Sequence, residues 1–354
     1  MFDSDFTADD PGEILAAVPA LLGFYPADSV VLIMLEPASD PEKVRLGTAA
    51  RRALPIPEGR LTTVAREAAR LCAQHDAKGV LVILVDSEPS CPTNKPTVQR
   101  RIGEAFSDAL EAEGIPLPHV WATPTISAGS PWWSVFDPTF TGVVSDPEAS
   151  PLMVARVMTG RRVFRSWAEF EKVVEPDHEL ANLVHRLISA KYVDGSPYST
   201  SAVSDIGLVE RRREAVRLLI EQVDALASGT APTVHGMADN AIALCDKVVR
   251  DCMLGLATTG RAGAARDLWA LLTQSLPDPY RAEAAALLGY SAYMAGDGPA
   301  AGIALKAALR SNRRHEMAAM LDLALRTGFP PSQLRRLAER GHETASQLGL
   351  SLQP

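Results

Sequence analysis

The chain has 354 residues, 47% of them hydrophobic and 22% charged, with a formal net charge of −8. That length is long for a single core and predicts two domains, and the composition excludes wholesale disorder. The acidic balance argues against general nucleic-acid binding, which starts with Lys and Arg neutralising phosphates. The absence of about 18 consecutive apolar residues excludes a helical membrane span.

The opening MFDSDFTADDPGE is acidic and lacks the basic start and apolar run of a secretory signal, so a cytoplasmic protein is expected. A first helix is then signalled by Asp10 as cap, Pro11 in the first turn and Glu13 at the capping-box position. Ile14, Leu15, Val18, Leu21 and Leu22 give its apolar face, and Gly23 stops it. Residues 29–35, SVVLIML, read as a buried strand, and 44–54 as its neighbour across a hairpin loop.

A helical stripe (Leu61, Val64, Ala65, Ala68, Leu71, Cys72) leads to a second buried strand, GVLVILV at 79–85. Another amphipathic helix, from Val98 to Leu110, is closed by Gly114, and 119–125 and 132–136 read as later strands. The order predicts a mixed sheet flanked by helices, with parallel strands in the βαβ portions.

From Ser150 the strand signals vanish. A short helix spans 152–158, and Ser166 with Glu169 forms a capping box ahead of Phe170, Val173 and Val174. The small, polar stretch 193–205 reads as a linker, followed by helices with stops at Gly229, Gly260, Pro277, Gly296 and Gly328. Leu288, Gly289, Gly296, Ala301, Leu305 and Ala308 have the spacing of a tetratricopeptide helix pair, whose small residues permit close approach. The expected fold class is therefore α/β or α+β: a mixed sheet over residues 1–149 and a helical connecting segment over 150–192. The linker at 193–205 then leads to an all-α, repeat-like domain over 206–354.

The chain has no phosphate-binding loop, no dinucleotide fingerprint, no nucleophile elbow and no H-E-x-x-H. Neither the seven histidines nor the four cysteines have metal-ligand spacing, so no catalytic residue, metal or cofactor is expected. Cys245 and Cys252, seven apart, are expected on one face of one helix as small buried side chains.

Glu36 and Asp86 each end an apolar strand run, where α/β sheets collect ligands. The irregular turn around Tyr25, Asp28 and Ser29, and the adjacent Trp132 and Trp133 on opposite faces of a strand, complete the candidate positions. Tyr25, Asp28, Ser29, Asp86 and Trp133 are the candidate ligand-binding residues.

The segments DPGEILAAVPALLGFYPADSVVLIML, PWWS and LPDPYRAEAAALLGYSAYMAGDGPAAGIALKAAL together resemble an actinobacterial family, domain of unknown function 4192. The resemblance spans nearly the whole chain and implies an actinobacterial, cytoplasmic protein. It brings no catalytic residues with it.

Two functions are expected from different classes. One is a non-enzymatic adaptor that binds a protein partner through the C-terminal helices. The other is a small-ligand sensor or enzyme with a pocket in the N-terminal domain.

Overall fold

A computed structural model of the protein describes residues 10–37, 44–87, 98–158, 161–191 and 205–353. Two compact units divide at 170/171, inside the segment that the sequence groups as helical connection. Apart from Asp205, the linker assigned to 193–205 lies outside the described residues, as do Cys91 and most of the hairpin loop before β2.

The first unit runs α1 (Pro11–Leu22), β1 (Ser29–Pro37), β2 (Val44–Ala53), α2 (Leu61–Gln74), β3 (Gly79–Val85), α3 (Val98–Ala112), β4 (His119–Thr123), β5 (Pro131–Ser134), β6 (Thr141–Val143), α4 (Pro151–Met158) and α5 (Trp167–Glu171). Its mixed sheet has the order β2-β1-β3-β4-β5-β6. Only β3 and β4, joined through α3, pair in parallel; β1 is antiparallel to both β2 and β3. The short edge strand β6 was not signalled by the sequence, because three residues are too few to show alternation.

All seven residues of β3 are buried, which requires cover on both faces. One face, with Val30, Leu32, Met34, Val80, Val82 and Leu84, packs against Val64, Ala65 and Ala69 of α2 and Ile102 and Phe106 of α3. The opposite face carries Val31, Ile33, Leu81, Ile83 and Trp121, none more than 3% exposed. Helix α1 crosses this side, touching both outermost strands, β2 and β6.

Helix α1 begins as its sequence demands: the Asp10 carboxylate accepts from the Gly12 N–H at 2.9 Å. It ends at Gly23, whose φ of 86° places it in the left-handed region. Arg156 of α4 is buried beside this end and donates from Nη1 to the Ala20 carbonyl at 2.9 Å, a cation on unpaired C-terminal carbonyls. A Cβ on Gly23 would sit 2.5 Å from Arg156 Nη2, so both backbone and space demand glycine.

The second unit contains α6 (His178–Lys191), α7 (Asp205–Ala227), α8 (Val234–Leu244), α9 (Lys247–Leu254), α10 (Ala262–Ser275), α11 (Arg281–Met294), α12 (Gly298–Ser311), α13 (Glu316–Arg326) and α14 (Pro331–Gln347). Five expected stops coincide with helix ends or turns, and Gly229, Gly296 and Gly328 have positive φ. One break was missed. Asp246 caps α9 through a 2.8 Å bond from the Val248 N–H, splitting the run that holds Cys245 and Cys252. The two cysteines therefore do not share a helix face: Cys252 is buried in α9, and Cys245 is exposed at the end of α8.

Glycine sets two close crossings here. At Gly289 a Cβ would lie 2.7 Å from Leu305 Cδ2, the α11–α12 contact that the small residues in the sequence anticipate. At Gly341 of α14 it would lie 2.6 Å from the Gly255 nitrogen and 2.7 Å from the Asp251 oxygen. Leu305 can rotate away, whereas backbone cannot. Gly341→Ala should therefore cost about 3 kcal/mol and Gly289→Ala about 1 kcal/mol in urea unfolding; equal costs would contradict this packing.

Candidate functional site

The antiparallel β1–β3 register places the start of β1 beside the end of β3, with Ser29 opposite Val85. The parallel β3–β4 register brings Thr123 to the same end. Asp28, Ser29 and Asp86 therefore gather at one end of the sheet. Glu36 lies at the other, where its carboxylate accepts from Arg45 Nη2 at 2.7 Å and from the Thr48 N–H at 3.2 Å. It spans the β1–β2 irregularity between Ile33 and Leu35. Its observed part is thus to hold a β-bulge in place.

At the gathered end, Asp86 donates its N–H to the Thr123 carbonyl at 3.0 Å. The Asp86 carboxylate accepts from Nε2 of Gln99, a buried residue in the first turn of α3, at 3.2 Å. Ser87 binds Asp28 twice, through its hydroxyl at 2.8 Å and its N–H at 3.2 Å. These bonds, helped by the Arg51 charge, hold the Asp28 carboxyl below its ordinary range despite a small opposing effect of burial. Asp28 itself has φ 42°, a left-handed turn residue.

Ser29 is fully buried; its hydroxyl donates to the Ala27 carbonyl at 2.6 Å and accepts from Arg51 Nε at 2.8 Å. The Arg51 guanidinium lies 5.1 Å from the Trp167 ring centre and 5.8 Å from that of Phe24.

Strand alternation puts Ser29 and Arg51 on the α1 face and Asp86 on the α3 face. The cluster wraps around the sheet end rather than opening from one side. The Ser87 hydroxyl donates to the Asp28 carboxylate, and the Ser29 hydroxyl accepts from Arg51. Among the described residues no three His, Cys, Asp or Glu side chains are placed to hold a metal ion.

The other two candidates lie in different surroundings. Half-buried Tyr25 donates its N–H to the Phe164 carbonyl. Its phenol is pushed up by burial and by the nearby Glu148 and Asp146 charges. Trp133 packs, partly exposed, on the α2–α3 side, while Trp132 is buried on the other with its Nε1 on the Val143 carbonyl at 3.2 Å. Sequence reasoning missed Arg51, Ser87 and Gln99. Alternation along β2 marks the face of Arg51, but nothing local links it to Ser29 across 22 positions.

In the second unit the chief ionic cluster is Arg250, Glu283 and His315. Glu283 Oε2 accepts from His315 Nε2 at 3.0 Å and Arg250 Nη1 at 3.2 Å, while His315 Nδ1 caps α13 by accepting from the Ala318 N–H at 3.1 Å. Burial raises the Glu283 carboxyl, yet the His315 and Arg250 interactions outweigh it and the net shift is downward. Arg281, also buried, donates to the Thr273 carbonyl at 2.8 Å and to the Val174 carbonyl, joining the 3-10 turn Lys172–Val174 to this unit.

Helix α13 differs from its neighbours on its outer side. Met320 is 63% exposed and Leu323 55%, one turn apart on a single stripe, with Phe329 40% exposed just beyond the helix. Residues 298–354, which include this helix, carry eight Lys and Arg against four Asp and Glu.

Removing the Ser87 hydroxyl should release Asp28: Ser87→Ala is expected to raise its carboxyl titration toward the ordinary value, read by carbon-detected NMR. An unmoved titration would show that Ser87 does not hold it. Glu283→Ala leaves Arg250 without that buried carboxylate and should cost about 3 kcal/mol. Because the folded Glu283 carboxyl is depressed, its stabilisation is complete above its ordinary value of 4.5 and is lost as pH falls below it. The pH dependence of stability below that point should be shallower in Glu283→Gln than in the parent.

A family model described as Domain of unknown function (DUF4192) matches residues 11–332, from the first residue of α1 into α14. No curated protein and no solved structure matches the chain. Because the matched region spans nearly all of both units, the chain belongs to this family of unknown function.

Proposed function

We propose that this protein is a non-enzymatic docking protein, working in an actinobacterial cytoplasm, that holds a protein partner on its helical unit. The observation that carries this reading is the exposed Met320–Leu323 stripe on α13, on a unit whose helix α11 is buried almost throughout. Two large apolar side chains adjacent on an exposed helix lose water-exposed area only when something covers them. The α11–α12 pair, crossing at Gly289, would be the tetratricopeptide-like element beneath that surface.

A second reading is a small-ligand site at the sheet end of the first unit. It is favoured by Asp86 and the buried Gln99, which meet at the carboxyl end of the parallel β3–β4 pair. Ligands that raise the melting temperature of the parent but not of Asp86→Asn would support it.

The docking reading is tested by placing a photo-crosslinking amino acid at Leu323, with Ser228 at the exposed end of α7 as control, in an actinobacterial host. Discrete protein adducts are expected from position 323 and not from 228. Silence at 323, or the same adducts from both positions, would overturn it.

A further inference from the structure

We infer that the helical unit holds a phosphate dianion, free or as a monoester, between Arg281 and Arg310 at one end of the α11–α12 pair; this does not depend on the docking reading. Arg281 is only 7% exposed, yet it forms no ion pair with any described residue. Its Nε donates to the Thr273 carbonyl and its Nη2 to that of Val174. Nη1 has no partner among the described residues and is not sealed from solvent, so the guanidinium keeps donors open. Two neutral carbonyls compensate only in part a cation withdrawn from water in this way.

The fold brings a second cation to the same end. Gly289 of α11 lies against Leu305 of α12, and a turn of three residues makes the two helices antiparallel. Eight residues back from Gly289 is Arg281, and five forward from Leu305 is Arg310, an offset of about 4.5 Å along the axis. Helix α12 also touches the Lys172–Val174 turn, whose last carbonyl Arg281 binds. Arg310 is exposed and forms no ion pair with any described residue. Burial holds the Arg281 guanidinium below its ordinary range; Asp278 opposes this, and the repulsion of Arg310 adds to it. Nearby carboxylates do not quench the pair. Glu283 binds Arg250 and His315, while Asp278 and Glu175 are exposed and form no ion pair with either arginine.

Two neighbouring guanidinium groups match a dianion better than a carboxylate, and their planar donors suit phosphate oxygens. The burial of Arg281 selects a terminal phosphate, which projects beyond its carrier, over the diester of a nucleic acid, which is hemmed by its sugars. A polyanion would also meet the repulsion of a chain whose net charge is −8.

The test is an NMR titration of the isotope-labelled full chain that follows the Arg281 Nε–H resonance, with ionic strength held constant by chloride. Inorganic phosphate should give a saturable shift with a Kd on the order of a millimolar. Acetate should bind about tenfold more weakly. Arg310→Gln should weaken phosphate binding about tenfold with circular dichroism unchanged. Arg326→Gln, beside the Leu325 that meets Gly302 near the opposite end of α12, should leave it unaltered. Glycerol phosphate separates the two sources: tighter binding than inorganic phosphate identifies a monoester, and equal or weaker binding identifies free phosphate.

A shift that does not saturate, or equal responses to phosphate and acetate, would overturn the inference. So would an Arg310→Gln variant that binds phosphate as the parent does. Comparing the anions on the parent chain needs no variant, and equal responses there are decisive alone. None of these outcomes bears on crosslinking from Leu323, so the two proposals stand or fall separately.

Discussion

A strand buried on both faces is the constraint on which the N-terminal unit depends. Seven consecutive residues of β3 have no solvent, so each face of the sheet must be covered by apolar surface. Burying an aliphatic side chain of this kind contributes about 1.5–3 kcal/mol, so an uncovered face would forfeit several such increments. Helices α2 and α3 supply one cover and α1 the other. The need to seat α1 then explains the turn after it. Gly23 and Arg156 close its end, and Phe24 drops into an aromatic group with Trp167 and Phe170.

The same constraint decides where polar chemistry is allowed. With both faces dry, charged groups of β1 and β3 are confined to the strand ends, and the antiparallel register sorts them. Asp28 and Asp86 fall at one end and Glu36 at the other. Each is held by chain partners: Ser87, Gln99, and Arg45 with Thr48. These bonds lock turns and a bulge, so the cluster orders the sheet end.

The helical unit solves a different problem, packing helices closely enough to exclude water. Backbone meets backbone at Gly255 and Gly341, and the buried Tyr290 and Tyr293 hydroxyls bond to the carbonyls of Leu334 and Phe329 at 3.2 and 2.6 Å. The arrangement buries nearly every side of α11 and leaves Met320 and Leu323 of α13 exposed. Function is proposed at that surface because Met320 and Leu323 are the most exposed large apolar side chains described in this unit.

Local chemistry decided much of the fold. The Asp10–Pro11 start and Gly23 stop of α1, the strands at 29–35 and 79–85, and the glycine stops of the later helices are all readable because caps, φ restrictions and buried apolar runs act within a few residues. The close α11–α12 crossing at Gly289 was legible for the same reason. Tertiary structure alone decided the rest. That β1 sits between β2 and β3, that Asp28 meets Ser87 across 59 positions, and that Arg156 reaches Ala20 across 136 depend on long-range pairing with no local signature. The break that separates Cys245 from Cys252 shows the limit from the other side. Asp is a favoured cap residue, but only the turn of the chain into α9 makes Asp246 one.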